Sequence, residues 1–194
     1  MKIFQIHELH SWEQRLEFAD AYHASFVARG IHSATPILNN ELRAYDHVFG
    51  VYRFEKLIAG FVLNRKAKRL KFFADQAKLP QSVAENAYSE GVELTAVWKT
   101  AERSCLYLWP TILLCILNEA PNDPIVAAAF HKHGMFERYM MFNPELLYKA
   151  QNESELSVFK YSKTQFAMTV FAGTLAKTMR NFHFPFFKVE GKAI

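Results

Sequence analysis

His47-Val48-Phe49-Gly50-Val51-Tyr52-Arg53 and Leu57-Ile58-Ala59-Gly60-Phe61-Val62-Leu63 decide the fold class. Both runs are short, apolar and rich in β-branched and aromatic residues, the composition of strands. Only Phe54-Glu55-Lys56 lies between them, short enough for a tight connection. The pair reads as an antiparallel hairpin near the centre of a sheet.

Upstream, Ile3, Phe4 and Ile6 alternate weakly over residues 2–7 and suggest a first strand. Ser11 stands before Trp12 with Gln14 three positions on, a helix start with a reciprocal cap. Leu16, Ala19, Tyr22 or His23, and Phe26 recur at helical spacing, and Gly30 is a helix stop. Residues 31–45, with Pro36 and Asn39-Asn40, read as a loop with room for a short helix.

Downstream, Arg69 to Phe73 reads as another short strand, and Pro80 to Ser89 as helix-compatible. Val92-Glu93-Leu94-Thr95-Ala96-Val97-Trp98 is the next strand. Leu106 to Asn118 is apolar almost all round, the pattern of a buried helix, with Pro110 in its first turn. Ile125 to Phe130 is a buried strand or a short helix, and periodicity does not choose between them. Phe136 to Phe142 reads as a further strand. In the tail, Met168, Phe171, Leu175 and Met179 share a helical face. Lys177 and Arg180 sit where the helix dipole favours cations. Phe182, Phe184 and Phe186 alternate like a strand. No repeat or linker divides the chain. The expectation is one α/β (α+β) domain over 1–194, with 150–194 a candidate C-terminal extension.

A chain of 194 residues buries a full core without disulfides or metals. Its 51% hydrophobic and 22% charged residues are ordinary for a globular protein. The net charge of +4 permits an acidic partner without requiring nucleic acid. Cys105 and Cys115 flank one apolar segment at a spacing that does not suit a disulfide if it is helical, which points to a reducing compartment. The N-terminus is too polar for a signal peptide. The longest apolar stretch is shorter than the roughly 18 residues of a membrane span. A cytoplasmic location is expected.

Three stretches carry a family likeness. Tyr45-Asp46 precedes the hairpin, Gly91 to Trp98 forms the strand after it, and Leu108-Trp109 with Ile112-Leu113 fills the following helix. With the order of elements, they make roughly the first 145 residues resemble the GNAT acyltransferase superfamily. The nearest look is to acyl-homoserine-lactone synthases and N-acyl amino acid synthases. The resemblance implies a mixed, mostly antiparallel central sheet flanked by helices. It also implies an N-acyltransferase that moves an acyl group from a thioester donor to an amine. The donor is acyl-CoA or an acyl carrier protein, with no tightly bound cofactor. Glu93 would deprotonate the amine, and Thr95, two residues on and on the same face, would orient it or hold a water. Val97, Trp98, Arg103, Ser104 and Trp109 would take the donor, with a backbone N–H near residues 95–98 stabilising the oxyanion.

Two departures stand out. Ala96 occupies the place of an Arg in those synthases, which puts homoserine-lactone formation in doubt. Lys99 to Ser104 contains no Gly, although the fold's usual loop here offers backbone N–H groups to the coenzyme A pyrophosphate. A carrier-protein donor needs that loop less.

Each candidate also has a plainer reading. Glu93 would then lie on the solvent side of its strand, and Thr95 would be a simple β-former. The cations Arg65, Lys66, Lys68, Arg69 and Lys71 suit an acidic carrier protein, coenzyme A phosphates or nucleic acid, or else a solvated loop. His131 and His133 lack the further ligands of a metal site, so no metal is expected. His23, three residues after Asp20, is a base candidate or a half-buried helix histidine. Cys105 at a helix start is a thiolate candidate without a matching His motif. The many Phe and Met residues line an acyl pocket or make core. The alternative function is a non-enzymatic binding protein on a GNAT-like fold, recognising an acidic partner or nucleic acid.

Overall fold

The computed structural model describes residues 4–31, 35–100, 108–120, 122–130, 135–140, 143–152, 155–168 and 170–172. The elements are β1 (Gln5–Glu8), α1 (Trp12–Val27), α2 (Asn39–Ala44), β2 (His47–Arg53), β3 (Lys56–Asn64), α3 (Lys68–Asp75), α4 (Gln81–Ala87), β4 (Val92–Lys99), α5 (Leu108–Glu119), β5 (Ile125–Phe130), α6 (Met135–Met140), β6 (Glu145–Tyr148) and β7 (Leu156–Tyr161). The strands form one seven-stranded sheet in the order β1-β2-β3-β4-β5-β7-β6. All neighbours are antiparallel except β4 and β5. This is the mixed, mostly antiparallel sheet with flanking helices that was expected.

The hairpin forms as read. Phe54 and Glu55 turn it with φ of 48° and 64°, the left-handed conformations whose twist matches that of the flanking strands. Ser11 and Gln14 cap α1 reciprocally. On the α1 side of the sheet, Phe18 and Leu42 pack on Val48, Val62 and Trp98. A Cβ on Gly60 would come within 2.5 Å of the Phe18 ring, so the bare backbone there lets α1 sit close to β3. Farther along the same face, Leu70, Phe73, Ala84 and Ala87 pack on Val126 and Val158. On the opposite face, Leu108, Ile112, Ile116 and Phe166 cover Phe61, Leu94, Ala127 and Phe159. Ile125 to Phe130 is thereby a strand, because its odd and even residues serve the two faces in turn.

Several expectations are corrected. Arg69 to Phe73 belongs to a helix rather than a strand, for Leu70 and Phe73 stand three apart and reach the core together. Phe136 to Met140 is likewise helical, with Phe136, Tyr139 and Met140 turned to one core. The first strand begins at Gln5, and residues 1–3 lie outside the described set. α5 is not buried all round: Leu114 is 67% exposed, and Trp109 and Leu117 are also exposed. β6 and β7 carry no sequence expectation. β7 lies between β5 and β6, so residues 156–161 are interior to the sheet. Residues 163–168 are helical, whereas Leu175, Met179, Phe182, Phe184 and Phe186 fall outside the described residues. Among the described residues, no helix is long and apolar enough to cross a membrane.

Candidate functional site

β4 changes its geometry halfway. Gly60 of β3 pairs with Trp98, and Val62 pairs with Thr95, so Ala96 and Val97 together oppose the single residue Phe61. Ala96 takes the strain with φ of 48°. A bulge of this kind resets the pleat. Val92 and Leu94 face the α5 side, but beyond the bulge Ala96 and Trp98 face α1. By the pleat, Thr95 shares the face of Glu93. On its other edge β4 pairs with β5 only through Val92↔Ile125 and Glu93↔Val126. Beyond Glu93 the parallel strands part, and no register joins them among the described residues.

Glu93 sits where the strands begin to part and is 2% exposed. Its Oε2 accepts from Asn64 Nδ2 at 2.7 Å and from the Arg69 N–H at 2.9 Å. Its Oε1 accepts from the Leu70 N–H at 3.0 Å. α3 has Ala67 at its N-cap and no side-chain cap of its own, so Glu93, on the sheet face that α3 covers, satisfies its first-turn donors. Burial pushes the carboxyl up to about 7, against the pull of these three donors and of the Arg69 charge. Asn64 reaches back through Oδ1 to the Asp46 N–H. Burial opposes ionisation of Asp46. Hydrogen bonds from Lys68 and the Arg65 N–H outweigh it and hold Asp46 below the usual carboxylate range.

Beside Glu93 lies a second buried pair. Arg69, 1% exposed, places Nε 3.0 Å from Glu41 Oε1. Its guanidinium lies over the rings of Tyr22 and Phe73, at 5.2 and 5.0 Å. Nη2 reaches the Thr35 carbonyl at 3.4 Å. Tyr45 donates its hydroxyl to Glu41 Oε1 at 2.6 Å, and the Leu38 N–H caps Glu41 Oε2 at 3.2 Å. Burial drives the Tyr45 phenol well up. Burial also opposes the Arg69 charge, but Tyr22, Tyr45, Glu41 and Glu93 together outweigh it and hold the guanidinium above its ordinary value. Lys78 contacts the Thr35 hydroxyl and lies 6.0 Å from the Phe130 ring at the end of β5. Its ammonium is pushed down, first by burial and then by Arg69, with Glu41 opposing.

The five cations of the basic run separate. Arg69 is a buried ion-pair partner, which corrects its expected place on an exposed docking surface. Lys68 is tied to Asp46 and to the Ala44 carbonyl. Arg65 and Lys66 are exposed, and Lys66 and Lys71 both approach the face of Tyr88. Trp98 is buried under α1 against Phe18, with its Nε1 unpartnered among the described residues. Trp109 stands on the other face beside Phe166, so the structure does not bring the two tryptophans together. Val97 packs on the α5 side. Arg103, Ser104, Cys105, His131 and His133 lie outside the described residues. His23 is exposed, because Tyr22 takes the inward position. Cys115 is a free thiol, pushed up to about 11 by burial and then by Glu119 and Glu8. Among the described residues, no cluster of three or more His, Cys, Asp or Glu has metal-site geometry. Glu41, Asn64, Thr35 and Lys78 were not singled out in the sequence. The available signal was Asn64 closing an apolar run opposite Glu93, two polar residues where a strand pair is otherwise apolar.

The fold is that of the GNAT acyltransferases. FeeM, an N-acyl amino acid synthase from uncultured soil microbes, superposes with a TM-score of 0.58 at 12% identity, over 89% of this chain and 97% of that one. The AHL synthase LasI gives 0.56 at 8% identity, over 88% and 94%. An acyl-CoA N-acyltransferase from Pseudomonas aeruginosa gives 0.55 at 11%, over 82% and 99%. At such identities the likeness is one of fold. No family model and no curated protein matches the sequence.

Proposed function

We propose that the protein is an N-acyltransferase that moves an acyl group from a thioester donor, acyl-CoA or an acyl carrier protein, to an amine. The parting of β4 from β5 at the bulged stretch of β4 carries this reading. It leaves the backbone of residues 94–98 without a β5 ladder partner among the described residues, where an N–H can meet a developing oxyanion. The thioester carbonyl lies against Thr95 to Trp98. Glu93, poised near neutrality, takes the amine proton through a water held at Thr95. The nitrogen bonds to the carbonyl carbon, the carbon–sulfur bond breaks, and the proton passes to the leaving thiolate. Arg103 and Ser104 keep their place in donor binding, with Trp109 at the start of α5. Arg65, Lys66 and Lys71 form the remaining basic surface for an acidic carrier, and long-range charge there acts on association rate. A cytoplasmic setting fits such donors.

The test is acyl transfer from both thioester classes to a panel of amines, read by product mass. The expected result is acylated product, with turnover in folded Glu93→Gln lower by at least roughly tenfold. Product from neither donor removes the enzymatic reading, and normal turnover in Glu93→Gln removes Glu93 from the chemistry.

A further inference from the structure

Among the described residues, the exposed large apolar side chains fall into two groups. Ile6, Val27, Leu38 and Phe54 stand singly on β1, on α1, before α2 and in the β2–β3 turn, the scatter usual on a protein surface. Trp109, Leu114, Leu117, Met168 and Phe171 instead all lie on the α5 side of the sheet. α5 turns Leu108, Ile112 and Ile116 to the core, which leaves Leu114 and Leu117 outward with Leu113 half-buried beside them. The helical residues 163–168 and 170–172 bury Phe166 and Val170 in the same core. They turn Met168 and Phe171 outward, Phe171 being 71% exposed. Trp109 joins the two helices, its ring 6.4 Å from that of Phe166. Exposures of this size amount to roughly 500 Å² of apolar surface, at the upper end of the largest patch on a typical monomer.

Charge decides what such a face can meet. α5 carries one charged residue, Glu119, at its last position. That carboxylate accepts from Asn118 Nδ2 at 2.9 Å and lies 3.6 Å from His47 Nε2. From Ser162 to Val189 the sequence holds no Asp or Glu. It continues the spacing of Met168 and Phe171 with Leu175 and Met179. The Lys163 ammonium is buried, and the cations that follow in sequence are Lys177, Arg180 and Lys188. Leu, Phe and Trp with interspersed cations and no carboxylate are the composition of a segment that lies in a membrane interface. A second copy of the chain would set these cations against themselves. The patch also falls short of the roughly 800 Å² per partner that a stable protein interface buries.

We propose that this face docks on an anionic lipid bilayer and holds the protein at the membrane surface. Leu114, Leu117, Met168 and Phe171 enter the boundary between headgroups and acyl chains of one leaflet, and Lys177, Arg180 and Lys188 meet the lipid phosphates. Such docking does not depend on the acyltransferase reading. α5 and α3 cover opposite faces of the sheet, so seating this face leaves the basic surface at α3 open.

The experiment is co-sedimentation of the full chain with vesicles of phosphatidylcholine alone and of an equal mixture with phosphatidylglycerol. Wild type binds the mixed vesicles at least roughly tenfold more tightly than the neutral ones, and the preference falls away in about 1 M salt. Leu114→Glu/Phe171→Glu sets two carboxylates at the boundary and weakens binding to the mixed vesicles by at least roughly tenfold. Phe54→Glu removes an exposed aromatic away from this face and changes binding by less than about twofold. Lys177→Gln/Arg180→Gln weakens binding to the mixed vesicles by about 25-fold, roughly fivefold for each cation, and leaves the neutral vesicles unaffected. Should the double Glu variant fail to fold, Leu114→Gln/Phe171→Gln gives the same reading with a smaller loss. No binding of folded wild type to the mixed vesicles overturns the proposal. Binding that survives the substitutions at Leu114 and Phe171, or that Phe54→Glu weakens equally, also overturns it. A concentration-dependent dimer that dissociates in Leu114→Glu gives the face to a second copy and overturns it as well.

Discussion

Replacing Glu93 with Gln tests whether a buried, near-neutral carboxyl holds α3 to β4. In the folded protein the group is raised from its ordinary 4.5 to about 7. Between those values the unfolded chain carries a carboxylate and the folded one an acid, so the folded state binds the extra proton. Stability from this group is therefore fully present below about pH 4.5 and lost as pH rises through about 7. From pH 5 to pH 7.5 the loss is about 2–3 kcal/mol, at 1.36 kcal/mol per pK unit. Gln does not titrate and lacks this slope. It adds a constant cost: whichever way its amide faces, a buried N–H of Arg69 or Leu70 loses its acceptor, about 1–3 kcal/mol. Urea unfolding of both proteins at several pH values gives the difference, in which the other titrating groups cancel. Wild type should exceed the variant most at pH 5, and the gap should shrink by about 2–3 kcal/mol by pH 7.5. A difference that stays flat refutes the raised pKa. A difference that is flat above about pH 5 and widens only as pH rises from about 3 to 5 shows that the three donors dominate burial and hold the carboxylate ionised.

Arg69→Met strands the Glu41 carboxylate in the core and should cost about 3–5 kcal/mol in urea unfolding, with much of it recovered in the Arg69→Met/Glu41→Gln double variant. Ala77→Gly relieves a left-handed residue at the end of α3 and should raise stability by up to about 1 kcal/mol, less the unfolded-state entropy of Gly. A loss of stability there contradicts the assigned helix end. Cys115, raised from 9.0 to about 11, should react with an aromatic disulfide about tenfold more slowly than an unshifted thiol, its roughly hundredfold smaller thiolate fraction being partly offset by the greater nucleophilicity of a more basic thiolate, by stopped flow in the folded protein. A rate equal to that of free cysteine places the thiol in water.

The sequence carried the sheet's centre because local rules govern it. The β2–β3 hairpin, the Ser11–Gln14 cap and the strand through Glu93 each follow from residues close in the chain. Arg69 to Phe73 was read as a strand because its helix start is secured by Glu93, twenty-four residues away. β7 escaped notice because Leu156 to Tyr161 is a short run that becomes a strand between partners formed elsewhere in the chain. The basic run looked uniform in sequence, yet Arg69 went inward and Arg65 outward. Arg65 lies in the bend before α3, whereas Arg69 lies on the face of α3 that turns inward, so local structure separates residues that composition groups together.

By itself the sequence determined a mixed α/β chain, the hairpin at its centre and Glu93 as a carboxylate in an apolar strand. Those features depend on periodicity and on chemistry within a few residues. Only the tertiary structure decided that β4 bulges at Ala96 and parts from β5, that Glu93 closes the start of α3, and that Arg69, Glu41, Thr35 and Lys78 meet. Each of these joins segments distant in the chain, and burial of charge becomes costly or useful only once the opposing segments have excluded water.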